Sequence, residues 1–439
     1  MWKVSRVFCC CHPEQSEGEE SALVRLERGL QILRFAQDDR LVAQDGRLLA
    51  QDDRFLARDD SFVARRVSSM TSLRPLRIAH VDLGRSLRGG QRQLLYLARG
   101  LRELGYCQIV VCREEGDLET CARKEGFPIL SLPGYDLFHL YGILQLRQML
   151  RASPCDLLHA HDGHGQTASW MGSVGLGVRR VASRRVAFLP REGQRWTYSL
   201  KYAHTCDAVI AVSEFIRQGA IRCGLPQAMI EVIPDGIELP AELPSRESRA
   251  RARARWGVTE SEFLLGHLGA FTHEKGQDVA LQALQILQQS LPRARLLLAG
   301  DGPTLSDAGV TRRYAELGER VRLCGPVRDP IEFFPALDLF VMPSMSEGLG
   351  SSALMAMSYG LPVVASRVGG LPELVEEGCT GWLIEPGSPT ALAEAILAAA
   401  ADPVRLQQWG LNGRERARQF SVDIMVRRTE ALYRRLLSG

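Results

Sequence analysis

From residue 76 onward, short apolar runs alternate with longer amphipathic stretches. Apolar runs bounded by turn residues are typical of strands buried on both faces of a parallel sheet, and amphipathic stretches between them are typical of crossover helices. In the first half the pattern predicts strands at 76–81, 108–112, 128–132, 156–160, 178–183, 208–212 and 230–233. The sequence therefore predicts an α/β fold.

The pattern breaks after residue 237. Two prolines and an arginine-rich run up to Trp256 predict an interdomain connection and a short helix. The alternation then restarts, with strands predicted at 263–268, 294–299, 320–324, 339–342, 362–366 and 382–384 and helices at 277–291, 389–401 and 422–437. We expect two Rossmann-like domains, 70–240 and 241–420, followed by a helix at 421–439.

Residues 1–69 do not follow this pattern. Alanines recur there every seven residues, but the apolar residues are consecutive rather than placed at heptad positions a and d, which disfavours a coiled coil. The segment also resembles translated non-coding bacterial repeat DNA. We expect translation to begin at Met70, so that 1–69 is a mis-annotated extension; the alternative is a disordered or loosely helical tail.

Composition excludes some classes of function. The chain of 439 residues is 45% hydrophobic and 24% charged, and its net charge of +3 gives no case for nucleic-acid binding. Its 11 cysteines form no framework of spacings and are typical of reduced, mostly buried thiols, which suits a reducing cytoplasm. No apolar stretch approaches the ~20 residues that a membrane-spanning helix needs.

The segment 343–366 carries the most chemistry. Glu347 stands at the mouth of a loop, Gly348 and Gly350 allow close approach of a ligand to the backbone, and Ser351 and Ser352 open a helix. A helix start presents unpaired N–H groups and partial positive charge, which suits an anion. One loop thus offers an acceptor for sugar hydroxyls and a cradle for phosphate.

Nine motifs follow one another along the chain. They are G-G-Q at 89–91, L-L-H-A-H-D at 157–162, A-V-I-A-V-S-E at 208–214, V-I-P-D-G-I-E at 232–238, E-K-G at 274–276, L-A-G-D-G-P at 298–303, G-P-V-R-D at 325–329, the P-S…E-G-L-G segment at 343–350 and G-G-L-P-E at 369–373. In this order they resemble the GT-B glycosyltransferases of family 4 (group 1). The resemblance spans 77–437 and implies two Rossmann-like domains facing a central cleft, with the C-terminal helix crossing back.

The resemblance implies a retaining transferase that moves a sugar from a nucleotide-diphosphate sugar to a hydroxyl of a glycan or lipid-linked acceptor, in cell-envelope or surface polysaccharide synthesis. Lys275 would face the diphosphate, Glu347 would accept donor-sugar hydroxyls, and His161 would reach the reacting centre across the cleft. Residues implied to bind the donor are Gly89, Gly90, Gly269, Lys275, Gly325, Glu347, Gly348, Leu349, Gly350, Ser351 and Ser352.

Each of these assignments has a structural alternative. The alternative for Lys275 is a solvated loop lysine, for Glu347 a carboxylate favoured by the helix dipole, and for His161 a hydrogen-bonded strand-end histidine. His159 lies on the same strand face and would also point toward the ligand, whereas His164 is the weakest candidate of the three. The glycine pair Gly89–Gly90 would otherwise make only a turn.

Two positions depart from the family pattern. Met355 stands where the second acid of a Glu–seven residues–Glu motif is expected, and a thioether does not replace a carboxylate as acceptor for ribose hydroxyls. Ala270 stands where a diphosphate-binding arginine is frequent. His273, Arg184 and Arg185 are candidates to compensate; for the two arginines the alternative is a structural strand-end charge.

No Asp-x-Asp motif occurs at a predicted cleft, so no catalytic metal and no cofactor are expected. The expected partners are the nucleotide-sugar donor, the acceptor and an anionic membrane surface docked on Arg85, Arg88, Arg92, Arg99 and Arg102, in a cytoplasmic or peripheral protein. The rival hypotheses are a catalytically impaired GT-B protein acting as a binding partner and a sugar-nucleotide epimerase. The base, sugar, acceptor and oligomeric state stay open.

Overall fold

The structure is a computed structural model, which describes residues 75–133, 139–187, 195–327 and 329–438. The predictions for 1–69 lie outside the described residues. The first lobe is built on a seven-stranded parallel sheet. Its strands are β1 (Arg77–Asp82), β2 (Cys107–Arg113), β3 (Ile129–Leu132), β4 (Leu157–Ala160), β5 (Arg179–Arg184), β6 (Ala208–Ala211) and β7 (Ile230–Val232).

Helices connect these strands as parallel crossovers require. They are α1 (Gly89–Glu103), α2 (Asp117–Lys124), α3 (His139–Ala152), α4 (Gly163–Ser173), α5 (Arg195–Ala203) and α6 (Glu214–Arg222). Side chains of the residues before two of them fix the starts: Asp162 accepts a hydrogen bond from Gly165 N before α4, and Ser213 accepts one from Ile216 N before α6.

The second lobe is built on a six-stranded parallel sheet. Its strands are β8 (Phe263–Leu268), β9 (Ala294–Ala299), β10 (Val321–Gly325), β11 (Leu339–Met342), β12 (Val363–Ser366) and β13 (Gly381–Ile384). The helices from the interdomain connection to the C-terminus are α7 (Arg246–Arg255), α8 (Gln277–Ile286), α9 (Ala308–Leu317), α10 (Ser351–Ser358), α11 (Leu371–Leu374), α12 (Pro389–Ala401), α13 (Pro403–Ala417) and α14 (Val422–Ser438).

The prediction of an α/β fold with two parallel sheets is confirmed, and every predicted strand is present within about two residues of its expected bounds. The largest error is helix α8, which ends at Ile286 rather than at residue 291. Turns occupy the four residues that follow, ahead of Pro292. A helix commonly ends before a proline, whose ring clashes with the preceding turn.

The order of the strands decides where a ligand can bind. The first sheet runs β3-β2-β1-β4-β5-β6-β7 and the second β10-β9-β8-β11-β12-β13, so the winding reverses between β1 and β4 and again between β8 and β11. In open parallel sheets ligands bind beyond the carboxyl ends of the strands at such reversal points. A ligand site is therefore expected at the loops after β1, β4, β8 and β11.

The two lobes contact each other directly. One apolar cluster includes Val209 and Ile216 of the first lobe together with Leu349 and Leu371 of the second. The final helix α14 packs on α1 of the first lobe, where Val426 contacts the backbone at Gly100. The C-terminal helix thus crosses back from the second lobe to the first.

Candidate active site

Lys275 and Glu347 meet at the reversal point of the second sheet. Lys275 follows β8 in a short 3-10 turn and Glu347 follows β11, and Lys275 Nζ donates to Glu347 Oε2 over 2.6 Å. Ser344 Oγ also lies 3.3 Å from that carboxylate oxygen. The side chains are 25% and 11% exposed, so the pair is shielded but still open to a ligand. The structure thus brings together a cation and a hydrogen-bond acceptor.

Gly276 sets the position of Lys275. Its φ of 70° lies in the left-handed region, and a Cβ there would clash with the carbonyl oxygen of Pro343. The loop after β8 therefore lies directly against the backbone after β11. Only a glycine permits this approach, which carries Lys275 into reach of Glu347.

Helix α10 begins beside this pair. The residue before the helix is Gly350, which has no side chain that could accept a hydrogen bond. The N–H groups at the helix start are therefore not capped by the side chain of that residue. Gly89 of the first lobe is close: a Cβ on it would lie 3.8 Å from Ser351 Oγ. Ser352 Oγ lies 3.8 Å from Met342 Sδ. The predicted phosphate cradle and the predicted glycine loop therefore adjoin across the cleft.

Three buried histidines occupy the reversal point of the first sheet. His80 of β1 and His159 of β4 are paired in register, and His161 follows β4. His80 Nδ1 lies 3.2 Å from His161 Nε2, and His80 Nε2 lies 2.9 Å from Gln108 Oε1. Burial lowers the pKa of His80 to about 4 and holds the pKa values of His159 and His161 well below the usual value. All three are neutral near pH 7.

The groups at the two ends of this hydrogen-bonded series determine which ring nitrogens carry protons. Gln108 donates its amide to the carbonyl of Ala98 over 2.9 Å, so its Oε1 faces His80 and can only accept. His80 must then carry its proton on Nε2, and its bare Nδ1 must accept from His161 Nε2. The remaining nitrogen, His161 Nδ1, is unprotonated and lies 3.4 Å from Arg185 Nη1, which can only donate.

Arg185 links this network to the second lobe. Its Nε donates to Asp235 Oδ1 over 2.8 Å, and both side chains are largely buried. A Cβ on Gly90 would lie 3.6 Å from Arg185 Cδ, and the Arg185 carbonyl packs on Gly348. Nearby, Ser213 Oγ donates to the carbonyl of Gly348 over 2.7 Å. Arg185 thus lies at the junction of the two lobes, held by a carboxylate and a neutral imidazole.

His159 has a different role from the predicted one. Its Nδ1 lies 2.5 Å from Tyr433 OH of α14 and its Nε2 lies 2.8 Å from Ser183 Oγ, and the side chain is fully buried. The expectation that it points toward the ligand was wrong, because both ring nitrogens bind protein groups. His159 instead anchors the C-terminal helix to the first sheet.

The three buried histidines are also close enough together to be compared with a metal centre. In the part of the chain that the structure describes, His80, His159 and His161 form the one group of three ligand-type side chains with suitable spacing, within 4.8 Å of one another. However, each ring nitrogen already has a protein partner, and the Arg185 guanidinium adjoins the cluster. A cation would have to displace these hydrogen bonds, so the residues do not fit a metal.

Several other predicted residues lie apart from the Lys275–Glu347 pair. The side chain of Leu349 is buried in the apolar cluster shared by the lobes, so its predicted role in binding the donor does not extend to the side chain. His273 is 89% exposed and lies 3.6 Å from Asp307. Arg184 stacks on the rings of Tyr198 and Tyr202, which favours the structural alternative for this arginine.

The remaining predicted positions make contacts with other parts of the protein. Gly269 lies against the stem of Lys275, where a Cβ would contact its Cδ at 3.6 Å, and Gly325 ends β10 with its carbonyl bonded to Gly300 N. His164 stands at the start of α4. Met355 is half-buried against the apolar cluster, and the Ala270 carbonyl accepts from Gln277 Nε2 over 2.8 Å.

Sequence reasoning missed His80, Gln108, Asp235 and Tyr433. A histidine in the middle of the apolar strand R-I-A-H-V-D was a usable signal, because an unpartnered polar group rarely sits in a buried strand. Tyr433 gave no such signal, since it is 274 residues away from its partner His159.

Asp82 forms a second buried polar group beside the site. Its Oδ1 accepts from Gly84 N and from Gln91 Nε2, which fixes the loop before α1. Burial, followed by the neighbouring charge of Asp162, raises the pKa of Asp82 to about 6. Gly89 and Gly90 begin helix α1 rather than lying in the predicted loop, and the start of this helix is tied to the end of β1.

Comparison with known proteins agrees with this geometry. Residues 87–240 match the family model "Glycosyltransferase Family 4", and residues 262–402 match "Glycosyl transferases group 1". A GDP-mannose-dependent alpha-(1-6)-phosphatidylinositol monomannoside mannosyltransferase of Mycolicibacterium smegmatis is 31% identical over 63% of this chain and 69% of its own. The chain belongs to the group 1 glycosyltransferases.

Other proteins similar to this glycosyltransferase cover a larger share of the chain. A 2-deoxystreptamine glucosyltransferase of Streptomyces kanamyceticus is 28% identical over 79% of this chain and 99% of its own. The crystal structure of Anabaena HepE in complex with UDP and glucose superimposes with a TM-score of 0.73 at 22% identity, covering 81% of this chain and 99% of that one. The GT-B fold of the glycosyltransferase is thereby established.

Proposed function

We propose that this glycosyltransferase transfers a sugar from a nucleoside-diphosphate sugar to a hydroxyl of a glycan or lipid-linked acceptor, with retention at the anomeric carbon. The observation that carries the proposal is the Lys275–Glu347 pair, 2.6 Å apart beside the start of α10. A carboxylate there accepts hydroxyls of the donor sugar, while the lysine and helix N–H groups face the diphosphate.

The chemistry follows from where charge develops. The bond between the anomeric carbon and the diphosphate oxygen breaks, and negative charge grows on the leaving diphosphate. Lys275 and the start of α10 stabilise that charge on one side. The acceptor oxygen forms the new bond on the same face of the sugar, and its proton passes to the departing phosphate oxygen. The products are the glycosylated acceptor and the nucleoside diphosphate.

Arg185 supplies a second cation from the first lobe. It lies beside Gly90 and packs against Gly348, at the junction where the donor would be enclosed. Since Ala270 replaces a frequent arginine of this family, Arg185 is the better placed of the two arginines to compensate. His161 holds Arg185 through its bare Nδ1, so we assign it to positioning rather than to proton transfer.

The relatives bear on the donor and the acceptor. The Mycolicibacterium relative uses GDP-mannose according to its name, while the Anabaena neighbour was crystallised with UDP, so the base stays open. We propose a role in making cell-envelope or surface glycans, by a cytoplasmic enzyme working at the inner face of the membrane. Among the described residues, no helix combines the length and hydrophobicity that crossing a bilayer requires.

The proposed basic membrane face is smaller than the sequence suggests. Arg99 pairs with Glu125 over 2.7 Å and with Glu238 over 3.1 Å, and Arg102 donates to the Glu125 carbonyl. Two of the five arginines are therefore engaged by the protein. Electrostatic attraction to anionic lipid would rest on Arg85, Arg88 and Arg92.

The alternative of an impaired binding partner rests on Met355, a half-buried thioether in place of an acid. Turnover separates the two functions. The full chain is incubated with UDP-, GDP- and ADP-sugars, with and without a lipid extract as acceptor source, and release of nucleoside diphosphate is followed. We expect release with one donor class that increases with acceptor. Donor binding without turnover under any condition would favour the impaired protein.

A further inference from the structure

An apolar cavity of about 190 Å³ lies in the first lobe, beside the candidate active site. It opens at the carboxyl ends of β1, β2 and β3, between α3 and α4. Most of its wall is apolar, formed by Leu83, Leu132, Pro133, Leu140, Ile143, Ala168 and Met171. The polar residues in the wall are Arg113, His164 and Thr167. Helix α14, the lobe contact and the Lys275–Glu347 pair contribute none of its lining, so the cavity is separate from the proposed donor site.

The cavity and the reaction centre share a wall. Leu83 N donates to Asp162 Oδ1 over 3.2 Å, and Asp162 is the residue after His161. His164, at the start of α4, also lines the cavity. A ligand seated here would therefore lie on the same edge of the first sheet as His161 and Arg185. That edge faces the second lobe, from which the donor sugar is offered.

The size and lining indicate what the cavity holds. An engineered cavity of ~150 Å³ lined by apolar side chains stays dry and binds benzene, so a cavity of this size accepts a ring or a short alkyl segment. A sugar ring carries hydroxyls around its whole edge, whereas the wall offers polar side chains only at Arg113, His164 and Thr167. Several hydroxyls would therefore be left unpaired against leucine, proline and methionine side chains. The lining thus favours a hydrocarbon group over a second sugar.

The mouth of the cavity continues as an apolar strip. Leu140 lines the cavity and is 65% exposed, and on the same helix Tyr141 and Leu144 are 56% and 55% exposed. Residues 140 and 144 are neighbours on a helix surface, so the strip is continuous. A chain longer than the cavity would leave it along α3.

We propose that this cavity binds the apolar chain of an acceptor whose hydroxyl-bearing head reaches the reaction centre. The inference rests on the proposed transfer function and names the class of acceptor: an alkyl- or acyl-bearing molecule rather than a free sugar or cyclitol. The chain anchors the acceptor in the first lobe, and the head extends past Asp162 toward the donor.

Two probes that differ only in chain length test the proposal. Binding of n-octyl β-D-glucoside and methyl β-D-glucoside to the full chain is measured by calorimetry. Each buried methylene strengthens binding about fourfold, so a chain of which about three methylenes are buried should bind roughly 60-fold more tightly. Equal affinity of the two glucosides for the wild-type protein would overturn the proposal.

Variants on opposite walls locate the chain. Gly142→Leu on α3 fills the cavity from one side; a Cβ at residue 142 makes only ordinary contacts, 3.7 Å from Leu132 Cβ. Thr167→Leu on α4 fills it from the other and covers the case in which the first variant fails to fold. Gln407→Leu, an exposed position on α13 in the second lobe, is the control for an added leucine.

We expect both cavity variants to lose the advantage of the octyl chain and the control to keep it. An advantage that survives in both cavity variants, or that falls equally in Gln407→Leu, would place the chain elsewhere and refute the proposal. Nucleotide binding is measured in parallel on the same variants. If it is retained, a failure here leaves the transferase standing, whereas a wild-type chain that binds no nucleotide counts against the proposed function itself.

Discussion

His80 Nδ1 lies 3.2 Å from His161 Nε2, and this contact joins adjacent strands at the reversal point of the first sheet. The hydrogen bonds run in one direction, from Arg185 through His161 and His80 to Gln108. An obligatory donor stands at one end and an obligatory acceptor at the other. His161 is therefore a neutral imidazole whose free lone pair orients Arg185.

This arrangement predicts the tautomers directly. In ¹⁵N-labelled protein, both His80 and His161 should carry their proton on Nε2 across the neutral pH range, because burial holds their pKa values low. Long-range ¹H–¹⁵N correlation spectra distinguish the two neutral tautomers. A proton on Nδ1 of His161 would contradict the network, since that atom would then oppose the Arg185 donor.

Removing the terminal acceptor tests whether the network positions Arg185. In Gln108→Leu the His80 tautomer is no longer fixed, and we expect kcat to fall about tenfold, which corresponds to the loss of one buried hydrogen bond. Nucleotide affinity should change little, since Gln108 contacts no predicted donor residue. Gln407→Leu, the same substitution on the exposed face of α13, should leave kcat unchanged; an equal loss in both variants would refute a positioning role.

Buried neutral histidine also sets a pH dependence of stability. The pKa of His80 falls from 6.5 unfolded to about 4 folded, so the stabilising preference for the neutral form is fully present above pH 6.5 and is lost as pH falls toward 4. Asp82 acts in the opposite sense, because its pKa is raised to about 6 and its ionisation destabilises the fold as pH rises from about 4 to 6.

Comparison with His80→Asn separates these two effects. Unfolding free energies are measured in urea at a series of pH values for both proteins. Between pH 6.5 and 4 the wild type should lose roughly 3 kcal/mol relative to the variant, as 2.5 pKa units imply. A difference independent of pH would show that His80 titrates normally.

Met355 stands where the resemblance to the family implies a second acid. A carboxylate there would lie on the second turn of α10. We expect Met355→Glu to tighten nucleotide binding by about tenfold, the effect of one charge-assisted hydrogen bond. Met355→Gln, with nearly the same shape and no charge, should gain less. If the glutamate variant binds no better than the wild type, ribose is recognised elsewhere.

Glu373 of the second lobe forms hydrogen bonds with the backbone of the first lobe. Its two carboxylate oxygens accept from the backbone N–H groups of Glu214 and Phe215, each over 2.9 Å, at the start of α6. Glu373→Ala leaves those donors without their cap and should cost about 1–2 kcal/mol of stability. We expect a lower melting temperature and a larger radius of gyration in small-angle scattering. Glu376→Ala, a few residues away and outside this contact, is the control.

Much of the architecture could be predicted from the sequence. Strands such as Leu339–Met342 are continuous apolar runs, and a parallel sheet covered on both faces buries such runs fully. The position of Lys275 was also accessible, since E-K-G after a strand places it at the strand's carboxyl end. Its ion pair with Glu347 depends on how the loop at Gly276 packs against Pro343, which no local pattern encodes.

The histidine network was not accessible in the same way. The sequence predicts that both His159 and His161 face the ligand. In the structure, His159 instead forms a hydrogen bond with the hydroxyl of Tyr433, a residue near the C-terminus. Leu349 shows the same limit, because its burial depends on contact between the lobes. Polar groups at a sheet reversal point can be found from sequence, but their partners come from distant elements.

Binding of nucleotides to the full chain tests the central claim most directly. Thermal unfolding is followed with UDP, GDP, ADP and their common sugar conjugates at ~1 mM; a ligand with a Kd of ~10 μM adds about 2.7 kcal/mol. We predict stabilisation by one nucleotide class that disappears in Lys275→Ala and persists in Lys124→Ala, an exposed lysine on α2. Absence of stabilisation by every nucleotide in a folded protein would contradict a donor site at Lys275 and Glu347.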